Sequence, residues 1–218
     1  MSAASGAYLG TSDFSATVLG ILASSGHRPA LAVTLPDRKQ GRGRKVSPSP
    51  VATAAEELGI EVFKCGDVNQ PEARERILAA GGEWASICAF GQLIKEPLLT
   101  DLPMLNVHPS LLPRWRGAAP IERSIMAGDE QTGVCVMRLV AGLDSGPVAL
   151  REATPIEPGE DFGSLSERLA RIGGDLLVKA LDGTADGSIE WTEQVDSEAT
   201  YAEKVDADDR QLDLSEGA

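Results

Sequence analysis

Short apolar runs alternate with stretches of helical periodicity along most of this chain, and that alternation constrains its fold more than any other feature. A helix between each strand and the next gives βα units. Such units build an α/β, Rossmann-like open sheet, mainly parallel, with helices on both faces. Residues 7–9 read as a weak first strand. Gly10-Thr11-Ser12 then makes a tight turn into a helix carrying Val18, Leu19 and Leu22, with Thr11 or Ser12 as its cap and Gly26 as its stop. Strands are expected at 30–34, 61–63, 85–90 and 104–108, with 85–90 central, and helices near 51–58, 71–80 and 118–126. Strands at 133–139 and 148–150 follow, then a helix over about 163–181 with Leu165, Leu169, Ile172, Leu176 and Leu177 at mostly helical spacing. A chain of 218 residues has room for one sizeable core and an appendage.

The appendage is marked by charge. Residues 191–218 hold nine acids against two bases and supply −7 of the net charge of −13, leaving −6 for the first 190. The sequence therefore reads as a globular domain over 1–190 and an acidic linker over 191–218 that leads toward something further. Within the first part, Arg38, Lys39, Arg42, Arg44 and Lys45 follow one another with no acid between them on a glycine-punctuated loop. Such a loop is either a surface a polyanion approaches or simply a solvated basic stretch. No apolar run reaches membrane-spanning length, and the N-terminal residues lack the charged and apolar regions of an export signal. Cys65, Cys88 and Cys135 cannot all pair and show no metal spacing, so a reduced, cytoplasmic setting is expected.

Only two histidines are available for chemistry. His27 follows the expected helix stop, where an imidazole meets the helix dipole favourably. His108 ends an apolar strand two residues after Asn106, and the period of two places both side chains on one face. An amide beside an imidazole can hold a developing oxyanion; equally, the pair can cap the strand end. Asp144 lies among Gly142, Gly146 and Pro147, in a loop able to converge on Asn106 and His108 beyond the carboxyl ends of the strands, although Asp is also a common turn former. There is no Gly-x-Ser-x-Gly elbow, no complete phosphate-binding loop and no zinc spacing.

The run Asn-Val-His-Pro-Ser-Leu-Leu-Pro-Arg-Trp-Arg-Gly-Ala-Ala-Pro at 106–120 and Gly-Leu-Asp-Ser-Gly-Pro at 142–147 resemble the two active-site signatures of the 10-formyltetrahydrofolate-dependent formyltransferases. The resemblance implies catalysis by Asn106, His108 and Asp144. It implies contacts to 10-formyltetrahydrofolate from Ser110, Leu111, Leu112 and Pro113, a pterin-pocket wall at Phe90, Gln92, Leu93 and Ile94, and further contacts at Ala141 and Gly142. Within the family the chain resembles most the members that formylate initiator methionyl-tRNA, on the strength of Gly10–Phe14, the loop at 36–51 and the run 114–121. That likeness implies that Arg38, Arg42, Arg44 and Lys45 face the tRNA, that 191–218 leads toward a C-terminal domain outside this chain, and that the protein is a monomer without a metal. The chain departs from the family in carrying Ser12 where Pro is common and Phe90 where Tyr is common. A formyltransferase for a sugar nucleotide or a purine precursor would keep the same three residues, with less reason for the basic loop. A folate- or RNA-binding module without turnover is the other alternative.

Overall fold

Strand alternation sorts the apolar side chains into two cores, one on each face of a single seven-stranded sheet. The computed structural model describes residues 6–40 and 45–210. In chain order the elements are β1 (Ala7–Gly10), α1 (Asp13–Ala23), β2 (Leu31–Thr34), β3 (Arg38–Gln40), β4 (Lys45–Ser47), α2 (Pro50–Glu57), β5 (Glu61–Lys64), α3 (Pro71–Ala79), β6 (Ala85–Cys88), α4 (Leu98–Asp101), β7 (Met104–His108), β8 (Arg116–Gly117), α5 (Pro120–Met126), β9 (Gln131–Arg138), β10 (Val148–Pro155), α6 (Phe162–Asp186) and β11 (Tyr201–Ala202). The sheet runs β10-β9-β7-β6-β1-β2-β5. Its pairs from β7 to β5 are parallel, while β9 lies antiparallel to β7 and β10 antiparallel to β9. The expected open, mainly parallel α/β sheet is what forms.

Tyr8, Ala32, Cys88, Leu105 and Val107 point into the core shared with α1, α2, α5 and α6, whereas Leu9, Leu31, Val33, Ile87 and Met104 point toward α3 and α4. Asn106 and His108 alternate in step with Met104, and they share its face. Gly10 is required where α1 starts over β1, because a Cβ there would lie 1.8 Å from the Ser15 hydroxyl. Ser12 caps α1 by accepting from the Ser15 amide at 3.3 Å, while the Thr11 hydroxyl instead donates to the Phe90 carbonyl at 2.8 Å and ties this turn to the end of β6.

Several boundaries differ from the sequence pattern. Helix α1 ends at Ala23 rather than at Gly26 because the Ser24 and Ser25 hydroxyls donate to the carbonyls of Gly20 and Leu22, satisfying acceptors that a glycine turn would otherwise serve. Strand β6 stops at Cys88, since Ala89 has a φ of +43°, and this bend turns Phe90 into the core. The expected basic loop is a hairpin of β3 and β4, with Arg38 opposite Ser47 and Gln40 opposite Lys45. Helix α6 continues five residues beyond the expected 181, to Asp186. The segment after residue 190 also has a place on the domain: Trp191 stacks on Trp84 at 5.8 Å, Thr192 bridges Val148, and β11 pairs with β8. Among the described residues no helix is long and apolar enough to cross a membrane.

Candidate active site

Asn106 and His108 sit at the carboxyl end of β7, nearly buried at 9% and 4% exposure. Because β9 runs antiparallel to β7, the loop 139–147 leaves Arg138 beside Leu105 and must fold back to reach them. It brings the Asp144 carboxylate to 3.5 Å from the Asn106 Nδ2 and 3.7 Å from the His108 Nδ1. The same carboxylate accepts from the Gly117 amide at 2.8 Å. Gly117 has a φ of +123°, and a Cβ there would lie 2.7 Å from the Ala202 carbonyl, so only glycine presents its amide in this way. The amide, the imidazole and the carboxylate expected from the sequence do converge.

The histidine has a defined polarity. Its Nε2 lies 2.9 Å from the Trp115 carbonyl, an acceptor, so the proton on this nitrogen is fixed whether the ring is neutral or charged. Nδ1 is the nitrogen that faces Asp144. Trp115 is itself anchored on both sides. Its φ is +64°, its indole donates to Asp129 at 2.8 Å, and its amide donates to the Thr200 hydroxyl at 2.9 Å. Arg114 makes a two-pronged ion pair to Asp129, at 2.9 and 2.6 Å, and its guanidinium covers the Trp115 ring at 4.4 Å.

Arg114 holds the Asp129 carboxyl below the usual carboxylate range, with the Trp115 indole adding to the effect. A carboxyl with a depressed pKa stabilises the fold fully above its unfolded value, and that contribution disappears as pH falls through the folded value. The Asp129→Asn protein should therefore melt below wild type at pH 7, and the gap should close as pH falls below about 4. Thermal melts across that range check this; a gap independent of pH would mean that the ion pair contributes nothing.

The three residues border a cavity of about 380 Å³ whose other walls include Phe90, Leu93, Ile94, Leu139, Val140 and Leu143. Of the residues implied for folate, Phe90, Gln92, Leu93, Ile94 and Gly142 line it, and Ser110, Leu111, Leu112, Pro113 and Ala141 do not. The Ser110 hydroxyl donates to the Arg114 carbonyl, and Leu112 packs with Cys135, Met137 and Val148 behind the site. The Gln92 side chain accepts from the Val68 amide and donates to the Cys65 carbonyl, bracing the wall. Lys204 also lines the cavity, from a segment whose sequence signals only acidity. Cys88, one residue before this wall, is no nucleophile: burial pushes its thiol up to about 12. Among the described residues no cluster of three or more His, Cys, Asp or Glu could hold a metal. His27 lies away from the cavity, paired with Asp182 at 2.7 Å. Arg38 and Lys45 are exposed on the β3–β4 hairpin; Arg42 and Arg44 lie outside the described residues.

A seven-stranded sheet of this order, with an amide, an imidazole and a carboxylate gathered at one cavity, is the frame of a group-transfer enzyme. The chain belongs to the formyl transferase family, whose model matches residues 7–181, and it is a formyltransferase. Its relatives include the methionyl-tRNA formyltransferase of Halorhodospira halophila, 46% identical over 214 residues that make up 97% of this chain and 68% of the relative. The methionyl-tRNA formyltransferase of Ruegeria pomeroyi is 44% identical over 214 residues, covering 97% of this chain and 70% of the relative. The fold is also that of glycinamide ribonucleotide transformylase 1 from Symbiobacterium toebii, with a TM-score of 0.69 at 21% identity, covering 86% of this chain and 93% of that one.

Proposed function

We propose that the protein transfers the formyl group of 10-formyltetrahydrofolate to the α-amino group of initiator methionyl-tRNA, using Asn106, His108 and Asp144. The observation that carries this reading is the approach of the Asp144 carboxylate to both Asn106 and His108 at the edge of a largely apolar cavity. The neutral amine attacks the formyl carbon, a C–N bond forms, and the carbonyl oxygen becomes an oxyanion. The Asn106 Nδ2 and the protonated His108 Nδ1 donate to that oxygen, and they are aimed before the charge develops. Asp144 holds the imidazole in place and takes part in moving the proton that the amine loses to N10 of the folate as the C–N10 bond breaks. Phe90, Leu93 and Ile94 provide an apolar wall suited to a flat pterin, with Gln92 and Gly142 beside it; Ser110, Leu111, Leu112, Pro113 and Ala141 act on the folate only through the shape of the frame.

Residues 1–190 are proposed as the catalytic unit, with 191–218 as the path toward a further tRNA-holding domain. The enzyme works as a monomer in a reducing cytoplasm, consistent with three buried free cysteines. Arg38 and Lys45, with Arg42 and Arg44, contact the phosphates of the acceptor. In the Arg38→Ala/Lys45→Ala protein the KM for charged initiator tRNA should rise while that for 10-formyltetrahydrofolate stays the same. The slope of log affinity against log salt should become shallower by about 2, one for each phosphate no longer neutralised. Formyl-transfer assays and tRNA binding between about 50 and 200 mM salt, the interval over which phosphate contacts separate, test this. An unchanged slope would remove the hairpin from the tRNA interface.

A further inference from the structure

Asp144 needs support that its own loop does not provide. It is a non-glycine residue at a φ of +44°, a left-handed conformation uncommon for residues with a side chain, though less so for Asp, and its surroundings hold it there. Two bonds from Gln194 do so. The Gln194 Nε2 donates to the Asp144 carbonyl at 2.8 Å and to the Gly146 carbonyl at 2.7 Å, closing the turn from outside. Its Oε1 accepts from the Nε of Arg116 at 3.0 Å. Arg116 is buried at 3% exposure, and its Nη2 is paired with Asp196 at 2.9 Å. The next residue, Gly117, donates its amide to the Asp144 carboxylate. Both the backbone and the carboxylate of Asp144 are thus held from Arg116-Gly117, one through a side chain of the segment after residue 190 and the other directly. Along that segment Glu193 and Val195 are exposed, and Gln194 is turned inward between them.

We propose that Gln194 is a positioning residue for the formyl-transfer reaction, fixing the Asp144 carboxylate against His108 and Asn106; this rests on the role proposed above for Asp144. An amide is needed because one end must donate to two carbonyls while the other accepts from a guanidinium. Glutamate keeps the acceptor for Arg116 and loses both donors, so Gln194→Glu releases Asp144 without stranding a buried charge. The effect travels through Asp144 and not through general loosening of the segment.

The test is a double-mutant cycle of Gln194→Glu with Asp144→Asn, with Trp191→Ala as the control that loosens the segment elsewhere, at its stack on Trp84. Formyl transfer to charged initiator tRNA gives kcat and KM, and hydrogen exchange at the Gly117 amide reads the Asp144 contact without turnover. Gln194→Glu should lower kcat on the order of 10- to 100-fold, the scale of a misplaced catalytic group, with the KM for 10-formyltetrahydrofolate within about twofold. It should speed exchange at Gly117 and add nothing on the Asp144→Asn background. Trp191→Ala should leave kcat within about twofold, since it contacts neither Gln194 nor Asp144. An additive loss in the cycle, a loss equal to that of Trp191→Ala, or unaltered exchange at Gly117 would each overturn the proposal. Gln194→Ala goes through the same cycle if the glutamate variant does not fold. Full activity in Asp144→Asn would instead overturn the role of Asp144 itself, and exchange at Gly117 would still decide whether Gln194 holds it.

Discussion

Replacing His108 with alanine is expected to lower kcat/KM for formyl transfer on the order of 1,000-fold, the upper end of what one aimed oxyanion donor contributes. Two functions disappear together. The Nδ1 that donates toward the developing oxyanion is gone, and Asp144 loses the partner it faces at 3.7 Å. The Trp115 carbonyl also loses its only side-chain donor among those described, so the turn held by Arg114 and Asp129 remains but no longer aims at an imidazole. The apolar wall of Phe90, Leu93 and Ile94 comes from a different segment of the chain. Binding of the formyl donor should accordingly change little while turnover collapses, and separate kcat and KM values for the two substrates check this. A folded His108→Ala protein that keeps more than about a tenth of wild-type kcat/KM would exclude His108 as an oxyanion donor, since removing one aimed donor costs about 100-fold or more.

How much of this is legible in the sequence depends on whether the signal is local. The period of two in β7 places Asn106 and His108 on one face correctly because both cores reward the alternation at Met104, Leu105 and Val107. The glycines around Asp144 correctly mark a shaped loop. The return of that loop from the antiparallel β9 is not legible, since the direction of β9 is settled by its pairing and not by its own residues. The segment after residue 190 is hidden for a different reason. Apart from the Trp191 stack on Trp84, it is attached through polar groups of Gln194, Asp196 and Thr200 and through the short β11, and none of these leaves a hydrophobic period. Acidic composition therefore marks the change of character at 191 without showing that part of the segment packs beside the site. The serines after α1 mislead in the same way, because a glycine is the usual stop and hydroxyl donors to free carbonyls can replace it. The sequence pattern stops α6 short because its last residues, Asp182 to Asp186, are mostly polar and extend past the apolar stripe.

Asn106→Ala separates the two roles that the sequence leaves open for this residue. As an oxyanion donor, Asn106 should cost on the order of 100- to 1,000-fold in kcat when truncated, the loss seen when one aimed donor is taken from an acyl-transfer site. As a strand cap it would cost stability and leave kcat largely intact. The geometry favours the first outcome. Among the described residues the Asn106 Nδ2 makes one long 3.5 Å contact, with Asp144, too weak to justify an amide as structural glue, and the side chain borders the cavity. Asp144 keeps its bond from the Gly117 amide when Asn106 is removed, so the carboxylate and the imidazole should stay in register. The loss should then appear in kcat, with the KM for the formyl donor nearly unchanged, because a donor aimed at the oxyanion contributes little before that charge forms. Single-turnover rates and melting curves measured together distinguish the roles. A lowered melting midpoint with normal turnover would return Asn106 to the strand and leave His108 as the sole side-chain donor to the oxyanion.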